Sequence, residues 1–138
     1  MSAPTDPVAV VTAMLDALVA GDAEASIDLL DAEAEWRNTG LPTLRGPRVA
    51  SSLRGMVERG VGFEYVMHHA AADSESPDAV VLTQRTDVLT WKRFRVEFWV
   101  RGTFTLRGGK VVVWDDAYST GQFAVRSILG AVRALLPG

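Results

Sequence analysis

Arg85, Asp87 and Asp116 are the residues of this chain whose types and spacing could do chemistry. Side chains alternate across a strand, so an Arg-x-Asp pair at 85 and 87 presents both groups on one face. A guanidinium carries a fixed fork of donors and can bridge two carboxylates. With one aspartate ionised and the other protonated, such a trio has no net charge. Burial and like-charge repulsion then push the two proton affinities apart, leaving one acid and one base at the same pH. The competing reading is an ion pair on a wet sheet face, which the R-x-D pattern alone gives more often.

The elements that must position these groups follow from periodicity. Asp6 before Pro7 is an N-cap with proline at the first helical position. Val8, Val11, Leu15 and Leu18 recur at helical spacing, and Gly21 stops that helix. Asp22 caps a shorter helix carrying Ile27, Leu29 and Leu30. A short strand is expected over Ala34–Asn38, with Trp36 and Asn38 on one face. Gly40, Pro42 and Gly46 punctuate the loop after it. A third helix starts near Pro47, with Val49, Leu53, Met56 and Val57 as its buried face. The period then changes to two, which predicts strands over Gly62–Ala72, Ala79–Trp91, Arg93–Leu106 and Lys110–Ser119. Gly108-Gly109 makes a hairpin turn. A last helix is expected over Gln122–Leu136. Helices, then strands, then a helix suggest an α+β fold with a mostly antiparallel sheet, in one domain over residues 1–138.

Alternation places Thr83, Arg85, Asp87 and Leu89 on one face and Gln84, Thr86 and Val88 on the other. It does not decide which face is buried, because Val88 competes with Leu89. On the last strand Val112, Trp114, Asp116 and Tyr118 share a face, which is apolar apart from one carboxylate. His68 and His69 are adjacent on a strand, so one is expected to point in and one out.

Composition excludes several classes. With 14 Lys+Arg against 17 Asp+Glu, the net charge is −3 and the basic residues are scattered. That is not the footprint of a nucleic-acid or anionic-membrane binder. Cysteine is absent, so no thiolate nucleophile, disulfide or Cys-ligated metal is available. Two histidines do not make the usual imidazole metal site, so neither a metal nor a cofactor is expected. The stretch MSAPTDP has no basic or apolar region of a secretory signal, and no apolar run nears the ~20 residues that span a bilayer. A cytoplasmic location is the expectation.

Several spaced segments together are specific. Thr83-Gln84-Arg85-Thr86-Asp87-Val88-Leu89, Phe98-Trp99-Val100-Arg101-Gly102-Thr103-Phe104 and Gly109-Lys110-Val111-Val112-Val113-Trp114-Asp115-Asp116 occur in that order. Upstream stand Trp36-Arg37-Asn38, Gly40-Leu41-Pro42, Arg45-Gly46 and Val61-Gly62-Phe63-Glu64. This series resembles the limonene-1,2-epoxide hydrolase family, whose pattern is T-E-R-x-D-x-L, a strand ending in G-x-F, then G-K-I-x-x-W-R-D. The family belongs to the nuclear transport factor 2-like superfamily, with the SnoaL-like polyketide cyclases. The resemblance runs over roughly residues 8–136.

The resemblance implies a cone-shaped α+β barrel, a curved sheet wrapped by helices, and a homodimer. It implies a lipophilic small-molecule epoxide as substrate and a vicinal diol as product. It makes Asp116 the base that activates water, Asp87 the acid that protonates the epoxide oxygen, Arg85 their bridge, and Asn38 a holder of the water. Trp36, Leu89, Phe98, Val100, Tyr118 and Phe123 are the expected apolar wall, in keeping with mostly hydrophobic ligand pockets. Three positions depart from the pattern. Asp115 and Gln84 replace an arginine and a glutamate, both facing away from the trio by alternation. Trp36 replaces the family's water-holding tyrosine, and an indole donates but cannot accept. That change leaves open a cyclase or isomerase in which the substrate's own hydroxyl attacks, and reuse of the fold leaves open a ligand-binding module without catalysis.

Overall fold

The computed structural model describes residues 5–119. Helix α1 spans Pro7–Val19, α2 Ala23–Ile27 and α3 Pro47–Glu58; the strands are β1 Leu30–Asn38, β2 Leu44–Arg45, β3 Gly62–Ala72, β4 Ala79–Trp91, β5 Phe94–Arg107 and β6 Lys110–Ala117. The strands form one open sheet in the order β2-β1-β6-β5-β4-β3. Only the β1–β6 pair is parallel; every other neighbouring pair is antiparallel. The expected C-terminal helix, with Phe123, lies outside the described residues.

Local chemistry explains the starts and stops. The Asp6 carboxylate accepts from the Ala9 backbone N–H at 3.0 Å and Pro7 opens α1. Asp22 does the same for α2 through Ala25. Gly46 (φ 58°) leads into Pro47 at the head of α3, in a backbone region that only glycine enters without strain. The apolar stripe of α1 buries Val10, Val11, Met14 and Leu15 completely. Each such side chain contributes about 1.5–3 kcal/mol by leaving water. They pack with Val49 and Leu53 of α3 against Val81, Phe104, Val111 and Trp114 of the sheet.

Three expectations change. Leu30, assigned to the second helix, opens β1 instead, because α2 stops at Ile27 and Leu30 pairs with Val111 on the parallel neighbour β6. The two-residue strand β2 pairs Glu35 with Arg45 and Trp36 with Leu44, and was not anticipated. A register shift between Thr105 and Leu106 turns Val111, rather than Val112, into the core. The histidines also differ from expectation. A shift between Met67 and His69 interrupts alternation there, and both rings are exposed, with His68 Nε2 hydrogen-bonded to Thr86 Oγ1 at 2.8 Å.

Candidate active site

Register assembles the charged groups on the helix-covered face. Across β1, β6, β5 and β4 one row of partners runs Asn38, Asp116, Gly102, Thr83. The row on one side runs Trp36, Trp114, Phe104, Val81. On the other side Val100 pairs with Arg85, and beyond it Phe98 pairs with Asp87. Asp116 and Asp87 therefore stand on strands separated by β5, at opposite ends of a diagonal. Gly102 sits between Asp116 and Thr83, and its missing side chain leaves the gap that the guanidinium crosses. A Cβ there would come within 2.5 Å of Arg85 Nη1, 2.7 Å of Thr83 Oγ1 and 2.9 Å of Asp116 Oδ1.

The burial question left open by alternation is answered by packing. Arg85 is 0% exposed, Asp87 4% and Asp116 6%. Arg85 Nε and Nη2 donate to Asp87 Oδ1 and Oδ2, both at 2.9 Å. Nη2 also donates to Asp116 Oδ1 at 3.1 Å, and Nη1 to Thr83 Oγ1 at 3.1 Å. The Thr83 hydroxyl in turn donates to the Gly102 carbonyl at 3.1 Å. Trp114 Nε1 donates to Asp116 Oδ2 at 3.0 Å. The guanidinium carbon also lies 5.7 Å from the Phe104 ring centroid, within cation–π range. A buried ion cluster is tolerable only when its donors and acceptors are matched in this way.

The electrostatics follow from the same contacts. Burial pushes the Asp116 carboxyl up to about 6, against the opposing pull of Arg85, while the charge of Asp87 adds to the rise. For Arg85, burial disfavours the charge, but the hydrogen bond to Asp87 and the fields of both carboxylates more than offset it, so its pKa rises. Burial, then the charge of Asp116, raises the Tyr118 phenol.

A cavity of about 220 Å³ opens onto this cluster. Its wall includes Asn38, Asp87 and Asp116, the aromatic groups Trp36, Phe98, Trp114 and Tyr118, and Leu89. Leu18, Leu41, Leu53, Met56, Val57, Val61 and Phe63 complete an apolar lining drawn from α1, α3, the start of β3 and the adjoining loops. Arg85 is behind the wall, linking the two carboxylates from within the sheet. Val100, expected on the wall, is off it: it is fully buried and packs with Val96 and Phe98 beneath Tyr118. Thr83, Gly102 and Trp114 emerge as site residues to which the sequence reading gave no role. Alternation had put Thr83 and Trp114 on the right faces, and a glycine inside a strand is a known sign of close approach by another group. Among the described residues no cluster of His, Cys, Asp or Glu could hold a metal ion. No helix among them is long and apolar enough to cross a membrane.

Comparison with known proteins identifies relatives of the chain. The family described as the limonene-1,2-epoxide hydrolase catalytic domain matches residues 5–129. Epoxide hydrolase EphG of Mycobacterium tuberculosis is 32% identical over 127 residues, covering 92% of this chain and 83% of that protein. The structure of an LEH-like epoxide hydrolase from the same organism superposes with a TM-score of 0.86 at 33% identity, over 98% of this chain and 100% of the other. A protein described as a polyketide cyclase from Pseudomonas putida shares the fold, with a TM-score of 0.69 at 14% identity over 90% and 99% of the two chains.

Proposed function

Since the chain belongs to the limonene-1,2-epoxide hydrolase family, we propose that it adds water to a lipophilic small-molecule epoxide, with Asp116 as base, Asp87 as acid and Arg85 as the bridge between them. One observation carries this reading: two carboxylates on the wall of an apolar cavity are joined by a single fully buried guanidinium. Water gives a proton to Asp116 as its oxygen bonds to an epoxide carbon. The carbon–oxygen bond of the ring breaks, and Asp87 protonates the leaving oxygen. The product is a vicinal diol, and the cluster ends with its single proton on the other carboxyl. Simultaneous removal and donation of protons avoid a free alkoxide, and such acid–base work contributes about 10²–10⁴ in rate. The apolar wall of Leu89, Phe98 and Trp36 suits a hydrocarbon substrate, and Asn38, which lines the same cavity and pairs with Asp116 across the sheet, would help to hold the water in this reading.

The test is conversion of a panel of terpene and aryl epoxides in heavy-oxygen water. Labelled diol from the wild type and none from Asp116→Asn or Asp87→Asn is the expected result. Folded wild type that gives no labelled diol across the panel would sink the proposal. A second reading exchanges the two roles, and the raised Asp116 carboxyl favours it, because a group that holds its proton to about 6 can act as the acid. The pH profile separates them. With Asp116 as base, turnover falls as pH drops through about 6; with Asp116 as acid, it falls as pH rises through that value. A homodimer in the cytoplasm completes the proposal, and light scattering tests the first part.

A further inference from the structure

We propose that Trp36 and Trp114 act together as positioning residues for Asp116: the Trp114 indole N–H pins one carboxylate oxygen, and the Trp36 ring holds that indole in the pose that does so. The effect on turnover rests on the hydrolase reading above; the grip on Asp116 does not. Each Asp116 oxygen accepts one hydrogen bond, Oδ1 from Arg85 Nη2 at 3.1 Å and Oδ2 from Trp114 Nε1 at 3.0 Å. The anchors come from β4 and β6, so the carboxylate cannot turn without breaking one of them. A carboxylate has about four acceptor sites, so sites remain on both oxygens for a reacting molecule.

Trp114 is itself held. It stands two residues before Asp116 on the same face of β6, in one cross-strand row with Trp36 and Phe104. Its ring stacks on Trp36 with centroids 4.3 Å apart and planes 15° from parallel, and on Phe104 at 6.1 Å and 22°. Turning the indole to withdraw its N–H would open both stacks. Trp36 contributes its ring and nothing polar: its Nε1 is buried and meets no hydrogen-bond partner among the described residues, and an indole accepts nothing. Among those residues, the titratable and charged groups that face Asp116 are Arg85 and Asp87 of β4 and the Tyr118 phenol beyond the end of β6. Asn38 faces it from β1 and is neutral, Gly102 of β5 brings no side chain, and the cavity-lining side chains of α1 and α3 are apolar. Burial pushes the Asp116 carboxyl up, opposed chiefly by the charge of Arg85, and the Trp114 hydrogen bond adds to that opposition. Such a bond favours the ionised form, so its loss raises the carboxyl further.

Carboxyl carbon shifts of aspartate-labelled protein, followed against pH, read Asp116 directly. In Trp114→Phe its midpoint should move upward by about one pH unit, and the inflection of turnover should move with it, whichever of the two roles Asp116 takes. Turnover should fall about 10-fold, with KM changed less than about threefold. Trp36→Phe keeps a ring and should stay within about threefold of wild type, whereas Trp36→Leu should shift the midpoint upward and lose turnover as Trp114→Phe does. A wild-type midpoint in Trp114→Phe, even with lower turnover, overturns the proposal. So does a Trp36→Phe that loses as much as Trp36→Leu, or a Trp36→Leu that behaves as wild type. Should Trp114→Phe fail to fold, the wild type decides. The chain has four tryptophans, and one indole N–H signal should move with a midpoint of about 6 and cease to move in Asp116→Asn. Absence of that signal overturns the proposal as well. A folded wild type that turns over no epoxide overturns the hydrolase reading instead, and the midpoints still decide the positioning.

Discussion

The same sheet carries the same short pattern on its two faces. Arg85-x-Asp87 lies on the helix-covered face of β4, and Arg95-x-Glu97 lies on the opposite face of β5. In both, the arginine bonds the carboxylate two residues on and reaches a second carboxylate on another strand: Asp116 in one case, Glu64 in the other. The Arg85 side chain is 0% exposed and the Arg95 side chain 52%. Local sequence sets the geometry of each pair, but only the layer of helices over one face gives it chemistry. In the low dielectric under α1 and α3, charges interact strongly and proton affinities move. In water the same arrangement is a weak surface ion pair.

The largest expected contrast is in turnover. Asp87→Asn and Asp116→Asn should each lower epoxide turnover by about 10³-fold or more, whereas Glu97→Gln and Glu64→Gln should change it less than about twofold. Comparable losses on the two faces would break the comparison. Glycines sharpen it next. A Cβ at Gly102 would strike Arg85, Thr83 and Asp116 together, while one at Gly62 on the outer face would strike the Thr90 hydroxyl, which can rotate away. Gly102→Ala should cost about 2–4 kcal/mol in denaturant unfolding and strip activity, and Gly62→Ala about 1 kcal/mol or less. Equal costs would show that the gap at Gly102 is not reserved for the guanidinium.

A third contrast lies in stability against pH. The Asp116 carboxyl rises from 3.8 to about 6 on folding, chiefly through burial. A carboxyl whose folded pKa is raised gives its full contribution below the unfolded value and loses it as pH rises to the folded one. Wild-type stability should therefore lose about 2 kcal/mol from this group between pH 4 and pH 6, and Asp116→Asn should remove that slope. Glu97→Gln should leave the slope in place. If Asp116→Asn keeps it, the site does not hold a carboxylate at the expense of stability.

Much of the fold and the membership of the charged trio were legible in the sequence. The ranges expected for β3 and β4 are the observed ones, because long alternating runs carry the strand signal best. The trio was singled out by type and spacing. What alternation could not give was the buried face of β4: Val88 is itself 5% exposed, although it points away from the cluster, and Leu89 is only partly buried. Leu30 and β2 were misread for another reason. Their strand character comes from pairing with Val111, and from Glu35 and Trp36 pairing with Arg45 and Leu44, contacts distant in sequence that leave no local period. Gly102 is the clearest case. Its role is to be absent from a space shared by three side chains from two other strands, and one sequence does not display that space.

The smallest expected effect tests the outer pair itself. Arg95 donates to Glu64 at 3.2 Å and to Glu97 at 3.3 Å, with all three side chains about half exposed. Water screens these charges, and holding two long side chains in one geometry costs entropy. Arg95→Ala should therefore destabilise by about 0.2–1 kcal/mol, and the loss should shrink in ~1 M salt, where the Debye length is about 3 Å. The buried cluster has no such access to ions, so raising the salt should leave the effect of Asp87→Asn on stability unchanged. Unfolding curves at low and high salt for both variants give the answer. A loss above about 2 kcal/mol at Arg95, or one that ignores salt, would mean that the outer pair is shielded after all, and that something covers this face of the sheet in solution.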